Sequence, residues 1–241
     1  MTSLDIIIPV YNEEQALPRC IETLLGFLSE EMSSYEWRIV IADNGSTDGT
    51  LSVAQGLSEV NSGVACVHLD RKGRGRALYK TWTESQADVI CYMDVDLSTR
   101  LEALPPLVGA IEEGYGVAVG SRLINGSRVE RRTLKREITS RCYNLLIKMM
   151  FLTRFSDAQC GFKAVSQRAA RELVPLIKDK AWFFDTELLI IAEKNGYRIK
   201  DVPVHWVDDP DTRVKVVGTA YEDVKGLLRL RFGGISRPMI E

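Results

Sequence analysis

The sequence of 241 residues lacks long hydrophobic runs, paired cysteines and more than two histidines, and each absence excludes a class of protein. No apolar run approaches the roughly 18 residues that a membrane-spanning helix needs, and the N-terminus lacks the basic and apolar regions of a secretory signal. The five cysteines are widely spaced without a CxxC pair, which argues against a zinc site or a disulfide framework. We therefore expect a protein of a reducing compartment without a transmembrane helix.

A charge excess of one sign is also missing, because 31 basic residues face 33 acidic ones. This balance argues against nucleic acid as the main partner. The hydrophobic fraction of 45% and the charged fraction of 27% are ordinary for a soluble globular domain. Disorder, collagen and a coiled coil are therefore excluded.

Strands and helices alternate in the first half of the sequence. Hydrophobic patterns predict strands over 4–10, 37–42, 64–69, 88–93 and 117–121, separated by helices over 13–29, 48–57, 77–85 and 101–113. This alternation is typical of an α/β fold, with a mostly parallel central sheet and helices on both faces. The second half is predicted to hold helices over 134–152, 167–177, 184–195 and 219–230 and short strands over 198–204 and 213–217. No linker separates the halves, so we expect a single domain over 1–241.

Four polar segments follow predicted strands, at 9–14, 43–50, 71–76 and 94–98. Ligands bind open α/β sheets beyond the carboxyl ends of the strands, so these segments are expected to surround one site. Asp94 and Asp96 are a pair of carboxylates that suits a hard divalent cation on a diphosphate, although two solvated turn residues would look the same. Asp43 could accept hydrogen bonds from the N–H groups of a base.

The segment 71–76 has two glycines and four basic residues at the start of a predicted helix. Helix-end N–H groups and cations can form an anion site there, whereas the alternative is a solvated basic turn. Neither a Walker A loop nor a complete dinucleotide-binding fingerprint is present.

The segment 128–154 has eight basic and two acidic residues within a chain of net charge −2. Apolar side chains recur there at helical spacing, namely Leu134, Ile138, Cys142, Leu145, Leu146 and Met149. One interpretation is an amphipathic helix on a membrane that carries anionic lipid. The other is a helix packed on the core with a solvated basic face.

The order of these motifs resembles that of family 2 glycosyltransferases of the GT-A fold. More narrowly, the sequence is similar to the polyprenyl-phosphate and dolichyl-phosphate hexose synthases, such as the dolichol-phosphate mannose synthases. The segments Asp157-Ala158-Gln159-Cys160-Gly161-Phe162-Lys163 and Phe184-Asp185-Thr186-Glu187-Leu188 are specific to this lipid-phosphate branch. The resemblance spans nearly the whole sequence and implies a nucleotide-binding half, 1–121, and an acceptor-binding half, 122–241, which contains the amphipathic helix 134–152.

The resemblance also implies a role for each motif residue. The nucleotide would be held by Pro9, Tyr11, Glu13, Asp43 and Asp94, and Mg²⁺ or Mn²⁺ by Asp94 and Asp96. Sugar and acceptor would be bound by Gln159, Asp185, Glu187, Arg132 and Arg136. The implied catalytic residues are Asp96, Asp157 and Arg122.

The implied reaction is the transfer of a hexose from GDP-mannose or UDP-glucose to a polyprenyl or dolichyl phosphate, with inversion. A phosphate acceptor is mostly ionised at neutral pH, so it can attack the anomeric carbon without a protein base. Asp157 would then orient the sugar, whereas a hydroxyl acceptor would need a base, for which Asp157 is the candidate. A family 2 enzyme for a soluble sugar, a nucleotidyltransferase and a non-enzymatic lipid-binding subunit remain alternatives.

Some relatives in this branch have C-terminal membrane helices, which this sequence lacks. We therefore expect a peripheral protein on the cytoplasmic face of a membrane. It would reach lipid through the helix 134–152 or through a membrane-anchoring partner.

Overall fold

The computed structural model describes residues 1–208 and 216–238. The strands are β1 (Ser3–Val10), β2 (Glu36–Asp43), β3 (Val64–His68), β4 (Val89–Met93), β5 (Val117–Ser121), β6 (Arg128–Glu130), β7 (Phe162–Ser166), β8 (Ile199–Pro203) and β9 (His205–Val207). The helices are α1 (Leu17–Glu31), α2 (Thr50–Val60), α3 (Arg74–Glu84), α4 (Leu104–Glu112), α5 (Leu134–Phe151), α6 (Gln167–Leu173), α7 (Phe184–Lys194) and α8 (Val216–Gly233).

Seven of the described strands form one sheet in the order β3-β2-β1-β4-β7-β5-β8. Every pairing in this sheet is parallel except the two made by β7, which runs antiparallel to β4 and β5. The central strands are apolar on both faces, as Ile6, Ile7 and Ile8 show by their complete burial. Such strands need helices on both sides of the sheet, and the predicted α/β architecture is confirmed.

The sequence patterns did not predict β7, although it lies in the middle of the sheet. Lys163 stands at its centre and is fully buried, and a charge there interrupts the apolar run by which a buried strand is recognised. The antiparallel register places Phe162 opposite Met93. The motif 157–161, which precedes β7, is therefore brought to the carboxyl end of β4.

Several predicted boundaries shift in the structure. Helix α1 begins at Leu17 rather than at residue 13, with proline in its first turn, and α3 begins within the basic segment 71–76. A second, two-stranded sheet that was not predicted joins β6 to β9. Of the strand predicted over 213–217, residues 213–215 lie outside the described residues, and α8 already begins at Val216.

Helix α5 exposes the apolar stripe that the sequence placed on it. Leu134, Ile138, Leu145 and Met149 are 75%, 53%, 56% and 64% exposed. The buried face of α5 instead consists of Ser140, Asn144, Ile147 and Phe151. Leu146, from the same stripe, is partly buried against the core. The apolar stripe therefore faces mainly solvent, and α5 packs on the core through a different face. Across the part of the chain that the structure describes, every helix is too short or too polar to span a bilayer.

Candidate active site

The loops that follow β1 and β2 are joined by hydrogen bonds at the carboxyl edge of the sheet. The backbone N–H of Asn12 donates to Ser46 Oγ (3.0 Å), and that of Glu13 donates to Thr50 Oγ1 (2.8 Å). Glu14 accepts a hydrogen bond from the backbone N–H of Gly49 (2.8 Å). These contacts place the predicted nucleotide residue Glu13 directly beside the loop that begins at Asp43.

Asp43 is completely buried at the end of β2. Its Oδ2 lies 2.7 Å from His68 Nδ1, and its Oδ1 accepts a hydrogen bond from the N–H of Ser46 (3.3 Å). The register pairs Pro9 with Ala42 and Val10 with Asp43, so Tyr11 follows immediately. The four residues predicted to bind the nucleoside, Pro9, Tyr11, Glu13 and Asp43, therefore share one edge of the sheet.

Three backbone N–H groups of the basic turn after β3 are bonded within the protein. The N–H groups of Gly75 and Arg76 donate to the carbonyl oxygens of Ala181 (3.1 Å) and Lys180 (3.0 Å), and that of Gly73 donates to the Asn44 side chain (2.7 Å). These N–H groups are therefore taken up within the protein, and an anion at 71–76 would have to be bound by the basic side chains. Of the side chains of the turn, Lys72 reaches the loop after β1, where its ammonium lies 3.5 Å from the centre of the Tyr11 ring.

Asp94 and Asp96 follow β4 in a tight turn, in which the N–H of Ser98 donates to Asp96 Oδ1 (2.9 Å). Asp94 Oδ1 lies 2.6 Å from Arg74 Nη2. Burial raises the pKa of Asp94 to about 6, and the neighbouring charge of Asp96 acts in the same direction, while Arg74 opposes both. Asp94 is therefore a carboxylate whose negative charge is costly without a nearby cation.

A small cavity lies beside this turn, lined by Met93, Asp94, Asp96, Leu97, Ser98, Thr99, Gly161 and Phe162. The Asp94 carboxylate fits here because Gly161 has no side chain: a Cβ on Gly161 would overlap Asp94 Oδ2. Two carboxylates next to a cavity fit a hard divalent cation. Among the described residues no group of three or more acidic, histidine or cysteine side chains could hold a metal, so further ligands would come from substrate or water.

Asp185 lies behind Asp94 in a buried polar network. It accepts hydrogen bonds from the Tyr92 hydroxyl and from the ammonium of Lys163 (2.9 Å). Tyr92 and Lys163 are opposite each other on β4 and β7. The predicted sugar residue Asp185 thus fixes the two strands from which Asp94 and Gly161 emerge.

Asp157 is fully buried and holds Arg122 with both carboxylate oxygens. Arg122 Nε donates to Asp157 Oδ2 (2.7 Å), and Arg122 Nη2 donates to Asp157 Oδ1 (2.9 Å). Burial favours the neutral acid, but the Arg122 charge and its hydrogen bonds outweigh burial and lower the pKa of Asp157. Asp157 is therefore an ionised partner of Arg122 and is poorly suited to accept a proton.

Arg132 extends this cluster across the Trp206 ring. The guanidinium carbons of Arg122 and Arg132 lie 5.4 Å and 5.7 Å from the ring centre. Arg132 donates to Glu137 (2.7 Å). Its pKa is lowered by burial and then by the Arg122 charge. Two mostly buried guanidinium groups beside one ring are a suitable site for an anion such as phosphate.

The side chains of the remaining three predicted residues contact other parts of the protein, although the backbone N–H of Gln159 donates to Asp157 Oδ1 (3.3 Å). Arg136 is paired with Asp208, which follows β9. Gln159 donates to Asp223 on α8 (2.8 Å). Glu187 is fully buried and is bound by the Arg229 guanidinium of α8 through two hydrogen bonds of 2.9 Å and 2.8 Å, so its carboxylate joins α7 to α8.

Sequence reasoning missed two residues at the centre of the site. Arg74 was part of a basic turn without an assigned role, and Lys163 was quoted in a motif but not given a function. Arg74 could have been found from its position after β3, because this places it at the same edge of the sheet as Asp94. The signal for Lys163 is its place in the strand that follows Gly161.

A model of the family described as glycosyl transferase family 2 matches residues 5–174. The chain is 33% identical to glycosyltransferase AglD of Haloferax volcanii, over 89% of this chain and 34% of that protein. It is 26% identical to a dolichyl-phosphate beta-glucosyltransferase of Dictyostelium discoideum, over 95% of this chain and 74% of that protein. A protein of the same name from Saccharomyces cerevisiae is 25% identical, with coverage of 95% and 74%. The chain therefore spans about a third of AglD and about three quarters of the other two.

Solved structures show the same fold. Glucosyl-3-phosphoglycerate synthase from Mycobacterium tuberculosis, in complex with Mn²⁺, UDP-glucose and phosphoglyceric acid, superposes with a TM-score of 0.70 at 18% identity, over 96% of this chain and 80% of that chain. The complex of that enzyme with UDP gives a TM-score of 0.71 at 20% identity, with the same coverage. The predicted GT-A fold is confirmed by this likeness, and the family resemblance is confirmed by the family match.

Proposed function

Because the chain belongs to glycosyl transferase family 2, its reaction class is glycosyl transfer, and we propose that it moves glucose from UDP-glucose to a polyprenyl or dolichyl phosphate. The observation that carries the choice of a phosphate acceptor is the pair Arg122 and Arg132 beside Trp206. The names of relatives from several organisms support glucose and a dolichyl phosphate. GDP-mannose, the other donor compatible with the sequence, has no support from these names.

The nucleoside would bind where the loops after β1 and β2 meet. Asp43 and Tyr11 lie there, and the Lys72 ammonium covers the Tyr11 ring. The contact between His68 and Asp43 fixes the direction of the Asp43 carboxylate. An oriented carboxylate can accept the N–H of a uracil base.

Asp94 and Asp96 would hold the divalent cation, Mg²⁺ or Mn²⁺. When bound, this ion would supply positive charge that stabilises the diphosphate leaving group. Burial and the adjacent Asp96 charge raise the pKa of Asp94, so a cation beside this carboxylate stabilises its ionised form. The donor set and the adjacent cavity both fit this role.

The acceptor phosphate would bind at Arg122 and Arg132. The lowered pKa of Arg132, caused by burial and by the Arg122 charge, means that an anion there would relieve repulsion. An ionised phosphate oxygen needs no base to attack the anomeric carbon. As that C–O bond forms, the bond to the donor diphosphate breaks, and a single displacement gives a β-linked product from an α-linked donor.

Asp157 would act by holding Arg122 in place. Both Asp157 oxygens accept hydrogen bonds from the guanidinium, and its pKa is lowered despite its burial because Arg122 outweighs that burial. This geometry favours a phosphate acceptor over a hydroxyl acceptor, which would need a free base at this position.

We also propose that the protein works as a peripheral protein on the cytoplasmic face of a membrane, directly or with an anchoring partner. The exposed apolar stripe of α5 is the feature that supports this proposal. Basic residues on the same helix, such as Lys135 and Arg141, would favour anionic lipid.

The test uses the purified chain, Mn²⁺ or Mg²⁺, a short polyprenyl phosphate and radiolabelled UDP-glucose or GDP-mannose in parallel. We expect label from UDP-glucose in the organic phase, and at least a tenfold lower rate for Arg132→Met, because a charge-assisted contact to the acceptor is lost. Arg168→Met removes an exposed arginine on α6 and is the matched control. Label from GDP-mannose alone would show that the donor is GDP-mannose and not UDP-glucose. Transfer of glucose to a soluble sugar, with release of UDP and no labelled lipid, would show that the acceptor is not a lipid phosphate.

A further inference from the structure

Arg74 stands at the start of α3, mostly buried, and is in contact with the first carboxylate of the Asp94-Val95-Asp96 motif. Its Nη2 atom lies 2.6 Å from Asp94 Oδ1. Its guanidinium carbon is 5.0 Å from the centre of the Trp182 ring and 5.4 Å from that of the Tyr92 ring. Two aromatic rings close to a cation stabilise it at this place.

Both oxygens of Asp94 have protein groups close by, although 39% of the side chain is exposed. Oδ1 faces Arg74, and Oδ2 lies against the Gly161 backbone, where even a Cβ would overlap it. A divalent ion approaching Oδ1 would therefore meet the guanidinium, and like charges at a few ångströms repel strongly in a partly buried site. The Arg74 guanidinium therefore competes with a metal ion for Asp94 Oδ1.

The contacts of Arg74 are also incomplete. Among the described residues, the buried Arg74 Nε has no hydrogen-bond acceptor. A buried donor without a partner is costly, and a guanidinium pairs well with phosphate oxygens. A diphosphate next to Asp94 would offer Arg74 the acceptors that it lacks.

We propose that Arg74 is a positioning residue that occupies the cation position at Asp94 and leaves it for the donor diphosphate when the divalent ion binds. The inference rests on the metal site of the proposed function. Without nucleotide, the ion competes with Arg74 for Asp94 and binds weakly. With nucleotide, the displaced guanidinium gains an anionic partner, so nucleotide and metal strengthen each other's binding.

The first test measures Mn²⁺ binding directly, by electron paramagnetic resonance of the free ion, without sugar or acceptor. Arg74→Met removes the charge and keeps an apolar side chain against the rings, and Arg71→Met removes an exposed charge from the same turn. Without UDP, we expect Arg74→Met to bind Mn²⁺ about tenfold more tightly, since a cation at this distance shifts the proton affinity of a carboxylate by a similar factor. Arg71→Met should bind like the unchanged protein. UDP should strengthen Mn²⁺ binding in both proteins, but the factor should be at least about ten times larger in the unchanged protein than in Arg74→Met.

The second test follows the movement of the guanidinium itself. Trp182 is close to Arg74, so Mg²⁺ with UDP should change its fluorescence. Trp182→Phe identifies the signal, and Arg74→Met should lose the change while still binding Mg²⁺.

Equal Mn²⁺ affinities of the unchanged protein and Arg74→Met, with binding abolished by Asp94→Asn, would overturn the role of Arg74 and leave the metal site standing. Absence of Mn²⁺ binding in every form, with and without UDP, would overturn both. If Arg74→Met fails to fold, Arg74→Lys replaces it, because the shorter lysine should release Asp94 and tighten Mn²⁺ binding without UDP. Unchanged or weaker binding in that variant would overturn the inference.

Discussion

At the scale of single residues, Gly161 is critical because it leaves space for the carboxylate on which the proposed metal site depends. A Cβ at this position would overlap Asp94 Oδ2 and approach Arg74 Nη2 at 2.9 Å. We expect Gly161→Ala to lower the rate of glucosyl transfer at least about a hundredfold, since displacing a catalytic group by about 1 Å has an effect of that size. Initial rates at saturating UDP-glucose, with thermal unfolding measured in parallel, test this prediction.

Gly109→Ala is the matched control for that substitution. Gly109 lies in α4, and a Cβ there would meet nothing within 4 Å. Alanine in a helix is favoured over glycine by about 1 kcal/mol, so this variant should be active and slightly more stable. An active Gly161→Ala protein would mean that Asp94 does not have to stay where the structure places it.

The sequence alone identified the acidic residues of the site and Arg122, but it missed Arg74 and Lys163, the cations that face Asp94 and Asp185. Asp94 and Asp96 were identified because they follow a strand, and Asp157 and Asp185 because they belong to recognisable motifs. Arg74 lies in a turn whose glycines drew attention to backbone N–H groups, and both glycines already donate within the protein, Gly73 to Asn44 and Gly75 to Ala181. Which cation faces which carboxylate depends on contacts between distant segments, and residue spacing does not contain that information.

At the scale of elements, helix α5 divides its functions between two faces. On the buried face, Asn144 accepts a hydrogen bond from the N–H of Ala158 (2.9 Å) and so supports the loop of Asp157. On the exposed face, Leu145 and Met149 are more than half accessible. The helix thus connects the arginine cluster to a surface that is apolar and rich in basic residues.

We expect this exposed face to bind vesicles of phosphatidylcholine and phosphatidylserine. Changing both Leu145 and Met149 to Gln should weaken binding at least tenfold, because each apolar side chain contributes about 1.5 kcal/mol or more when buried in lipid. Cosedimentation with vesicles measures the change. Val60→Gln is the control, as Val60 is an exposed apolar residue on α2. Equal binding by all three proteins would show that α5 is not the docking surface, and an anchoring partner would then have to supply it.

Element prediction succeeded where the apolar pattern was regular and failed at β7. The parallel strands of the first half are continuous apolar runs and were identified within a few residues of their observed bounds. Strand β7 contains Lys163, whose charge is neutralised by Asp185 on α7. A buried ion pair of this kind joins two segments far apart in sequence, so no local pattern could predict the strand.

At the scale of the whole molecule, the net charge of −2 includes buried carboxyl groups whose ionisation affects stability in opposite directions. Arg122 overcomes burial and holds the pKa of Asp157 below its usual value, so the stabilisation by Asp157 is lost only under acidic conditions, as pH falls through that lowered pKa. Burial, with the charges of Asp179 and Asp185, raises the pKa of Asp223 from 3.8 to about 7. The folded protein therefore keeps a proton on Asp223 that the unfolded chain has already lost, so stability falls as pH rises between these two values.

Asp223→Asn removes this pH dependence and can keep the contact with Gln159 that Asp223 Oδ2 makes. We expect the variant to match the unchanged protein at pH 4 and to exceed its stability at pH 8 by about 2 kcal/mol, less than the full linkage value because the site is not fully shielded from water. Thermal unfolding at both pH values, without metal or nucleotide, measures the difference. Asp70→Asn is the control, since that side chain is fully exposed. A variant that is less stable at pH 8 would mean that the ionised Asp223 carboxylate stabilises the folded protein, through a charged hydrogen bond from Gln159, and that burial does not raise its pKa.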